Sequence, residues 1–427
     1  MKIQCFKTIS LFLLMSLLSG QEYIGFQINV NSSPFPANLF ISTMGTEPRY
    51  IAILDTTLAP TWFVNSGQTG IDFKVNQQKL SYFDKPNQSW IIVGGFMNEI
   101  DTLECANGYK ADYHDIILSA DGGYILQAYD TIFFNMSEIV LGGSLNAKIT
   151  TLIIQEFDIS DSLIFEWNAW NHLNITDYTN LNLTQEYISW MHGNSIDIDN
   201  DNNLIISNRR CSEIIKIHRT TGNVIWFFGG PNNQYTIQND YLNGFSKQHD
   251  VRRINNGNII LFDNGNGHNP PISRALEYSL NETEMIAELI WDYSHPQEYV
   301  GLAMGSVQRL PNNNTLINWG TLNEHGAIIT EVDYDKNIVL EIEYPPNVRC
   351  YKVRKDNWSF ITNLIPGDTN LDDEINIFDL YNISDNIIHM DDSLELDLFH
   401  LYRFDLNKNR QIDLMDLESI VSKLMEY

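Results

Sequence analysis

Basic residues are scarce in this 427-residue chain: 26 lysines and arginines stand against 54 aspartates and glutamates, for a formal net charge of −28. A surface of that sign repels a phosphate backbone, which argues against nucleic acid as a partner. Cysteine is scarce too, with four in all. Cys5 lies in the N-terminal apolar segment, leaving Cys105, Cys211 and Cys350, an odd number that permits at most one intramolecular disulfide. No two of them have the spacing of zinc ligands. Beyond the N-terminus no apolar run is long enough to cross a membrane. G-x-S-x-G, P-loop and H-E-x-x-H patterns are all missing, which removes the common serine-hydrolase, nucleotide-cradling and zinc-protease readings.

What remains is rich in strand formers. Hydrophobic residues make up 43% of the chain, with 9 Trp, 20 Tyr and 21 Phe, enough for a large β core. The N-terminus has Lys2 and Lys7, an apolar run from Ile9 to Leu18, then Ser19-Gly20. That order reads as a secretory signal over residues 1–20, and it predicts export to a periplasm, a cell surface or the medium. No cysteine follows the small residues, so a lipoprotein anchor is not expected. Asparagine is abundant, and sequons such as Asn174-Ile175-Thr176 read as compositional bias.

An internal repeat organises the middle of the chain. HDIILSADGGYILQAYD begins at His114, HGNSIDIDNDNNLIISNR at His192, HDVRRINNGNIILFDNG at His249 and GSVQRLPNNNTLINWGT at Gly305. Each is a strand, a tight Asn/Asp/Gly turn and a second strand. A second hairpin follows each, as in residues 213–230, 275–293 and 327–344. Two hairpins make the four-stranded blade of a β-propeller. Six blades are predicted, with starts near Phe73, His114, His192, His249 and Ser306. The sixth combines a C-terminal strand around Val348–Val353 with strands near Leu39–Ser42, Tyr50–Leu54 and Thr61–Val64. The fold class is therefore all-β: a propeller over residues 21–362, then a small helical module over 363–427.

Three blades open with histidine, so His114, His192 and His249 are expected at one mouth of the central channel. Asp197, Asp199 and Asp201 have alternating-carboxylate spacing, but they fall where other blades turn and read as a hairpin. His268 sits in a Gly- and Pro-rich loop. The order W-M-H-G-N-S (190–195), G-N-V-I-W-F-F-G-G (222–230), Q-H-D (248–250) and S-R-A (273–275) resembles the PAPS-independent arylsulfotransferase family. The resemblance covers residues 110–345 well and the earlier blades loosely. It implies transfer of a sulfuryl group from an aryl sulfate to a phenolic acceptor, by a ping-pong route through a sulfated histidine and with no organic cofactor. A neutral imidazole suits that chemistry as a nucleophile, and cationic or N–H donors suit the spread negative charge of the transferred group. Carried over by motif, His192, His249 and Arg274 are catalytic candidates. His325, in N-E-H-G-A, is the candidate for the sulfated residue, with His249 its rival. Asn194 and His114 would border the substrate.

After Ile365-Pro366 the composition changes. Residues 368–380 and 405–417 place oxygen-bearing side chains at alternate loop positions. They are Asp368, Asn370, Asp372, Asn376 and Asp379, then Asp405, Asn407, Asn409, Asp413 and Asp416, with Glu374 and Gln411 offering main-chain carbonyls. Such spacing predicts two calcium sites, each leading into an apolar-periodic helix. The paired loops resemble a type I dockerin, which implies a cohesin-like or cell-surface partner. The competing functional reading is a propeller that binds without catalysis; a lyase or hydrolase using the same histidines is a third.

Overall fold

The computed structural model describes residues 23–360, 367–369, 375–389, 404–407 and 411–425. Two compact units divide between Trp358 and Ser359.

The larger unit is six sheets, each built on four antiparallel strands. β1 (Gln27–Asn31) adds to a later sheet, and β2 (Asn38–Met44), β3 (Tyr50–Leu54) and β4 (Pro60–Asn65) open the first blade. The second blade is β5 (Thr69–Asn76), β6 (Lys79–Asp84), β7 (Ser89–Val93) and β8 (Glu99–Leu103). The third is β9 (Ala111–Leu118), β10 (Tyr124–Phe134), β11 (Ala147–Phe157) and β12 (Leu163–Asn168), followed by the short helix α1 (Ala169–His172) and by β13 (Tyr187–Ser189), which pairs parallel with β11. The fourth is β14 (Gly193–Ile198), β15 (Leu204–Asn208), β16 (Glu213–Ile217) and β17 (Val224–Gly229). β18 (Thr236–Gln238) flanks the fifth, made of β19 (His249–Arg253), β20 (Ile259–Asp263), β21 (Arg274–Asn281) and β22 (Ile286–Tyr293). The sixth is β23 (Ser306–Arg309), β24 (Thr315–Asn318), β25 (Ile328–Val332) and β26 (Ile338–Glu343), with β1 on its outer edge. Finally β27 (Arg349–Asp356) returns as the inner strand of the first blade, pairing with β2.

The inner strands β27, β5, β9, β14, β19 and β23 touch one another in a closed ring. This is a six-bladed β-propeller, closed by strands from both ends of the unit, so no inner edge is left open to pair with another chain. Apolar cores lie between successive sheets, and Trp90, Trp167, Trp190, Trp226 and Trp319 are fully buried.

Inner strands of a propeller do not share backbone ladders, and here side chains join them. Asp115 Oδ2 accepts from Ile196 N (3.1 Å), Ser195 Oγ from Val251 N (2.9 Å), Asp250 Oδ2 from Val307 N (3.1 Å) and Ser306 Oγ from Val353 N (3.0 Å). The turns after these strands repeat as well. Gly122, Asn202, Gly257 and Asn313 hold left-handed φ and donate to Ser119, Asp199, Ile254 and Leu310. Gly takes that conformation freely and Asn at little cost, which makes these turns legible in the sequence.

This girdle corrects the repeat phase. Asp115, Ser195, Asp250 and Ser306 are equivalent, so His114 is level with Asn194 and His249, and His192 stands two residues earlier.

In the smaller unit, α2 (Ile377–His389) and α3 (Leu414–Leu424) pack around buried Ile383, Phe404, Ile412 and Ile420.

Candidate active site

The three histidines meet at the end of the channel where the inner strands begin. His114 and His192 lie ring to ring at 4.8 Å, nearly perpendicular. Tyr129 stands 6.2 Å from the first and 6.5 Å from the second. Tyr351, delivered by the closing strand β27, lies 5.9 Å from His114 and 5.4 Å from His249. Tyr113 stacks on His114 at 4.2 Å.

Each imidazole has a distinct chemistry. His249 is buried and its Nδ1 meets the Gly305 carbonyl at 2.8 Å. A carbonyl only accepts, so Nδ1 carries the hydrogen and the lone pair of the neutral ring is on Nε2. Burial, then the charge of Lys352, holds His249 well below the usual histidine range. His192 is pulled down to about 3, by burial first and then by His114 and Arg209. His114 Nδ1 contacts the Asp112 carboxylate, so its Nε2 faces away from that carboxylate. Burial opposes ionisation of Asp112, but the His114 ring and Gln127 outweigh it and hold its carboxyl below the usual range.

A guanidinium that no motif marks stands beside the histidines. Arg209 follows β15 directly, and its N–H donates to the His192 carbonyl at 2.9 Å. Its Nη2 donates only to neutral oxygens, Asn266 Oδ1 at 3.1 Å and Leu302 O at 2.8 Å. Its Nε is buried with no partner. Arg210 and Lys247 adjoin it, Lys247 Nζ donating to the Arg210 carbonyl at 2.5 Å. Among the described residues none of these three cations has a salt-bridge partner. In a chain of net charge −28, three cations without a carboxylate partner are unmatched positive charge, which suits an anion. The signal was present as Asn208-Arg209-Arg210, but nothing local distinguishes it from other arginines.

Below the histidines the channel is filled by ions. Lys74 bridges Asp72 (2.6 Å) and Asp115 (2.7 Å), and Arg252 bridges Asp115 (2.6 Å) and Asp250 (3.0 Å). Lys352 Nζ donates to the His114 carbonyl at 2.6 Å and sits 3.5–4.0 Å from Asp115, Asp72 and Asp250. Burial brings this ammonium down to about 8 despite those carboxylates. A cavity of about 490 Å³ on the second blade, lined by Tyr82, Asp84, Glu99 and Lys110 among others, contains no imidazole. Another of about 520 Å³ contains Asp199, Asp201, Lys216 and Arg253, whose charges are already paired. Asp199 and Asp201 thus serve a hairpin turn.

Two expected catalytic residues stand elsewhere. Arg274 begins β21, two strands out from the axis. It is fully buried, donating to Asp263 Oδ2 through Nε (3.2 Å) and Nη2 (3.0 Å), to Asp240 Oδ1 (2.8 Å) and to Gly244 O (2.7 Å). Two carboxylates neutralise it, so it is a structural anchor. His325 precedes the third strand of its blade, with its side chain 39% exposed. It bonds Glu343 at 3.0 Å and lies 5.4 Å from Tyr299, apart from the other three histidines. His268 is tied to Asp263 at 2.9 Å, in the Arg274 cluster. Asn194 is fully buried and braces the next blade by donating to the Gln248 carbonyl at 2.7 Å. Cys105, Cys211 and Cys350 are free thiols, pushed up to about 12 by burial.

The arylsulfotransferase (ASST) family profile matches residues 28–352, most of the chain and every residue of this site. The chain belongs to that family. No sequence match was found among curated proteins. Similar solved structures include a protein of unknown function from Bacteroides caccae, 11% identical, covering 75% of this chain and 99% of that one with a TM-score of 0.45. A streptogramin B lyase is 10% identical, covering 78% and 98%, with a TM-score of 0.41. Virginiamycin B lyase from Staphylococcus aureus is 8% identical, covering 75% and 89%, with a TM-score of 0.39. Membership accounts for the sulfotransferase class of this arylsulfotransferase-family chain, and aryl sulfate and phenol are the substrates that fit it.

In the smaller unit Asp368, Asp379, Asp405 and Asp416 are buried. Asp379 accepts from Thr369 N (2.6 Å) and Asn376 N (2.8 Å), and Asp416 from Asn407 N (3.1 Å) and Asp413 N (2.9 Å). Asp413 caps α3 in a capping box. Asn370, Asp372, Glu374 and Asn409 lie outside the described residues, as does the expected signal at 1–20. Among the described residues no cluster of His, Cys, Asp and Glu is grouped to hold a metal.

Proposed function

We propose that the chain moves a sulfuryl group from an aryl sulfate to a phenol through a sulfated His249, without PAPS. The observation that carries this reading is the convergence of His114, His192 and His249 beside Arg209, a guanidinium whose Nε is buried and unpartnered. The Nε2 lone pair of His249 attacks sulfur, an N–S bond forms and the S–O bond to the aryl group breaks. The leaving phenolate takes a proton from His114 Nε2, and Asp112 steadies the ring that gives it. The acceptor phenol then attacks sulfur, the N–S bond breaks, and its proton returns to His114. Arg209 and His192 face the sulfuryl oxygens as their charge shifts. His249 takes the nucleophilic role over His325 because its tautomer is held by the Gly305 carbonyl and its ring stays neutral.

The test is acceptor-dependent release from a chromogenic aryl sulfate, with phenol and without PAPS, for wild type and His249→Gln. Transfer that disappears in the variant supports the reading. An inactive wild type over several donors returns the chain to a binding propeller. We further propose export, and two calcium ions in the smaller unit. The described loop residues offer oxygen donors only, four of them buried carboxylates, which fits a hard cation. A cohesin-like or cell-surface protein is the proposed partner of that unit.

A further inference from the structure

The third blade continues past the histidines. β10 and β11 stay paired from Tyr124↔Phe157 to Phe134↔Ala147, whereas the inner strand β9 leaves β10 at Ala128↔Ala111. β13 widens the projecting hairpin to three strands, with Lys148↔Tyr187 and Thr150↔Ser189 in register. One face of this small sheet is covered. Phe134 packs on Trp170 of α1 at 5.2 Å, and Ala147, Ile149 and Ile188 are buried.

Strand alternation puts Tyr129, Thr131 and Phe133 on the other face. Lys148 lies across from Phe133, and Tyr187 lies beside Lys148. Phe133 is 64% exposed and Tyr187 54%. The Tyr187 hydroxyl is held by Thr150 Oγ1 at 3.1 Å. Lys148 is exposed, and among the described residues it has no salt-bridge partner. The foot of the same face is Tyr129, whose ring neighbours His114 and His192. Phe133 is four residues further along the strand, about 13 Å.

We propose that this open face is an acceptor subsite for extended aromatic phenols of two or more rings that carry an anionic group. The inference rests on the sulfotransfer reading. Two exposed aromatic side chains in one row offer π faces to flat rings, and the unpaired lysine between them offers a counter-charge. In a chain with 54 acidic residues, an unpartnered lysine on an aromatic row favours an anion there. A single ring bound at the histidines cannot reach this row, because about 13 Å separates the levels.

The probes are phenol, a hydroxyflavone bearing a carboxylate, and its methyl ester. Phe133→Ser and Tyr187→Ser are expected to raise KM for the carboxyflavone about tenfold, the loss of one aromatic contact, and to leave phenol kinetics unchanged. Lys148→Gln should raise KM for the acid and not for the ester. Equal effects on phenol and flavone, or none on either, overturn the subsite. Calorimetric titration of carboxyflavone without donor separates the two readings. If wild type binds it, the serine variants do not and no donor is turned over, the subsite stands and sulfotransfer falls. If transfer to phenol is intact but wild type does not bind the flavone, the subsite falls alone.

Discussion

His249 donates its Nδ1–H to the carbonyl oxygen of Gly305 at 2.8 Å, across the boundary between the fifth and sixth blades. That bond leaves the lone pair of the neutral ring on Nε2, the atom that attacks in the proposed mechanism. His249→Gln keeps a donor at this point but removes the proposed nucleophile, and transfer should fall by at least about a thousandfold. Mass spectrometry of protein quenched during turnover should place one sulfonate on the peptide containing His249. His325→Ala should keep the wild-type rate; sulfonate on His325 would overturn the assignment.

The two arginines separate chemistry from stability. Arg209→Met removes the site's guanidinium, and kcat/KM should drop by about 10²–10³, with little change in Tm. Arg274→Met leaves the buried carboxylates of Asp240 and Asp263 without their guanidinium, a loss of about 3–5 kcal/mol. Its Tm should fall while the folded fraction keeps its activity. Denaturation curves set beside initial rates check both.

The pH dependence has a definite sign. His192, at about 3, and His249, well below 6.5, are both neutral in the folded protein down to acid pH. A plot of kcat/KM should therefore show no limb near 6.5 from either ring. Below 6.5 the unfolded chain binds protons that these two folded histidines exclude, so stability declines as pH falls from that point. His192→Asn should flatten that decline.

Glu213 gives the opposite slope. Burial, outweighing its bonds from Asn232 and Tyr178, pushes its carboxyl up to about 7. Between 4.5 and 7 the unfolded chain ionises first, so stability falls as pH rises through that window. Relative to wild type, Glu213→Gln should be more stable at pH 8 than at pH 5, read by thermal unfolding. A difference that does not change with pH would refute this.

Chelation tests the smaller unit. On the proposed calcium reading, EDTA should lower its unfolding temperature and calcium should restore it, because buried Asp379 and Asp416 would lose their cation. Aryl-sulfate turnover by the propeller should not change. Insensitivity of the helical signal to EDTA would remove the calcium reading.

What the sequence settled was local. Strand alternation and Asn or Gly at left-handed turns are short-range properties, so the blades were legible from residues such as Gly257 and Asn313 alone. The closing blade was legible too, since an unpaired strand at Val348–Val353 needs a partner that only the N-terminal strands supply. The acidic balance already made any unpaired cation informative. The tertiary structure decided the phase and the partners. Side chains of Asp115, Ser195 and Asp250 join residues 56 or more positions apart, and only their bonds show that Asn194, not His192, is level with His249. Arg274 looked like a sulfate ligand until Asp240 and Asp263 arrived from other segments to neutralise it. Arg209 looked ordinary until burial left its Nε without a partner. Charge pairing depends on distance in space, and spacing along the chain does not encode it.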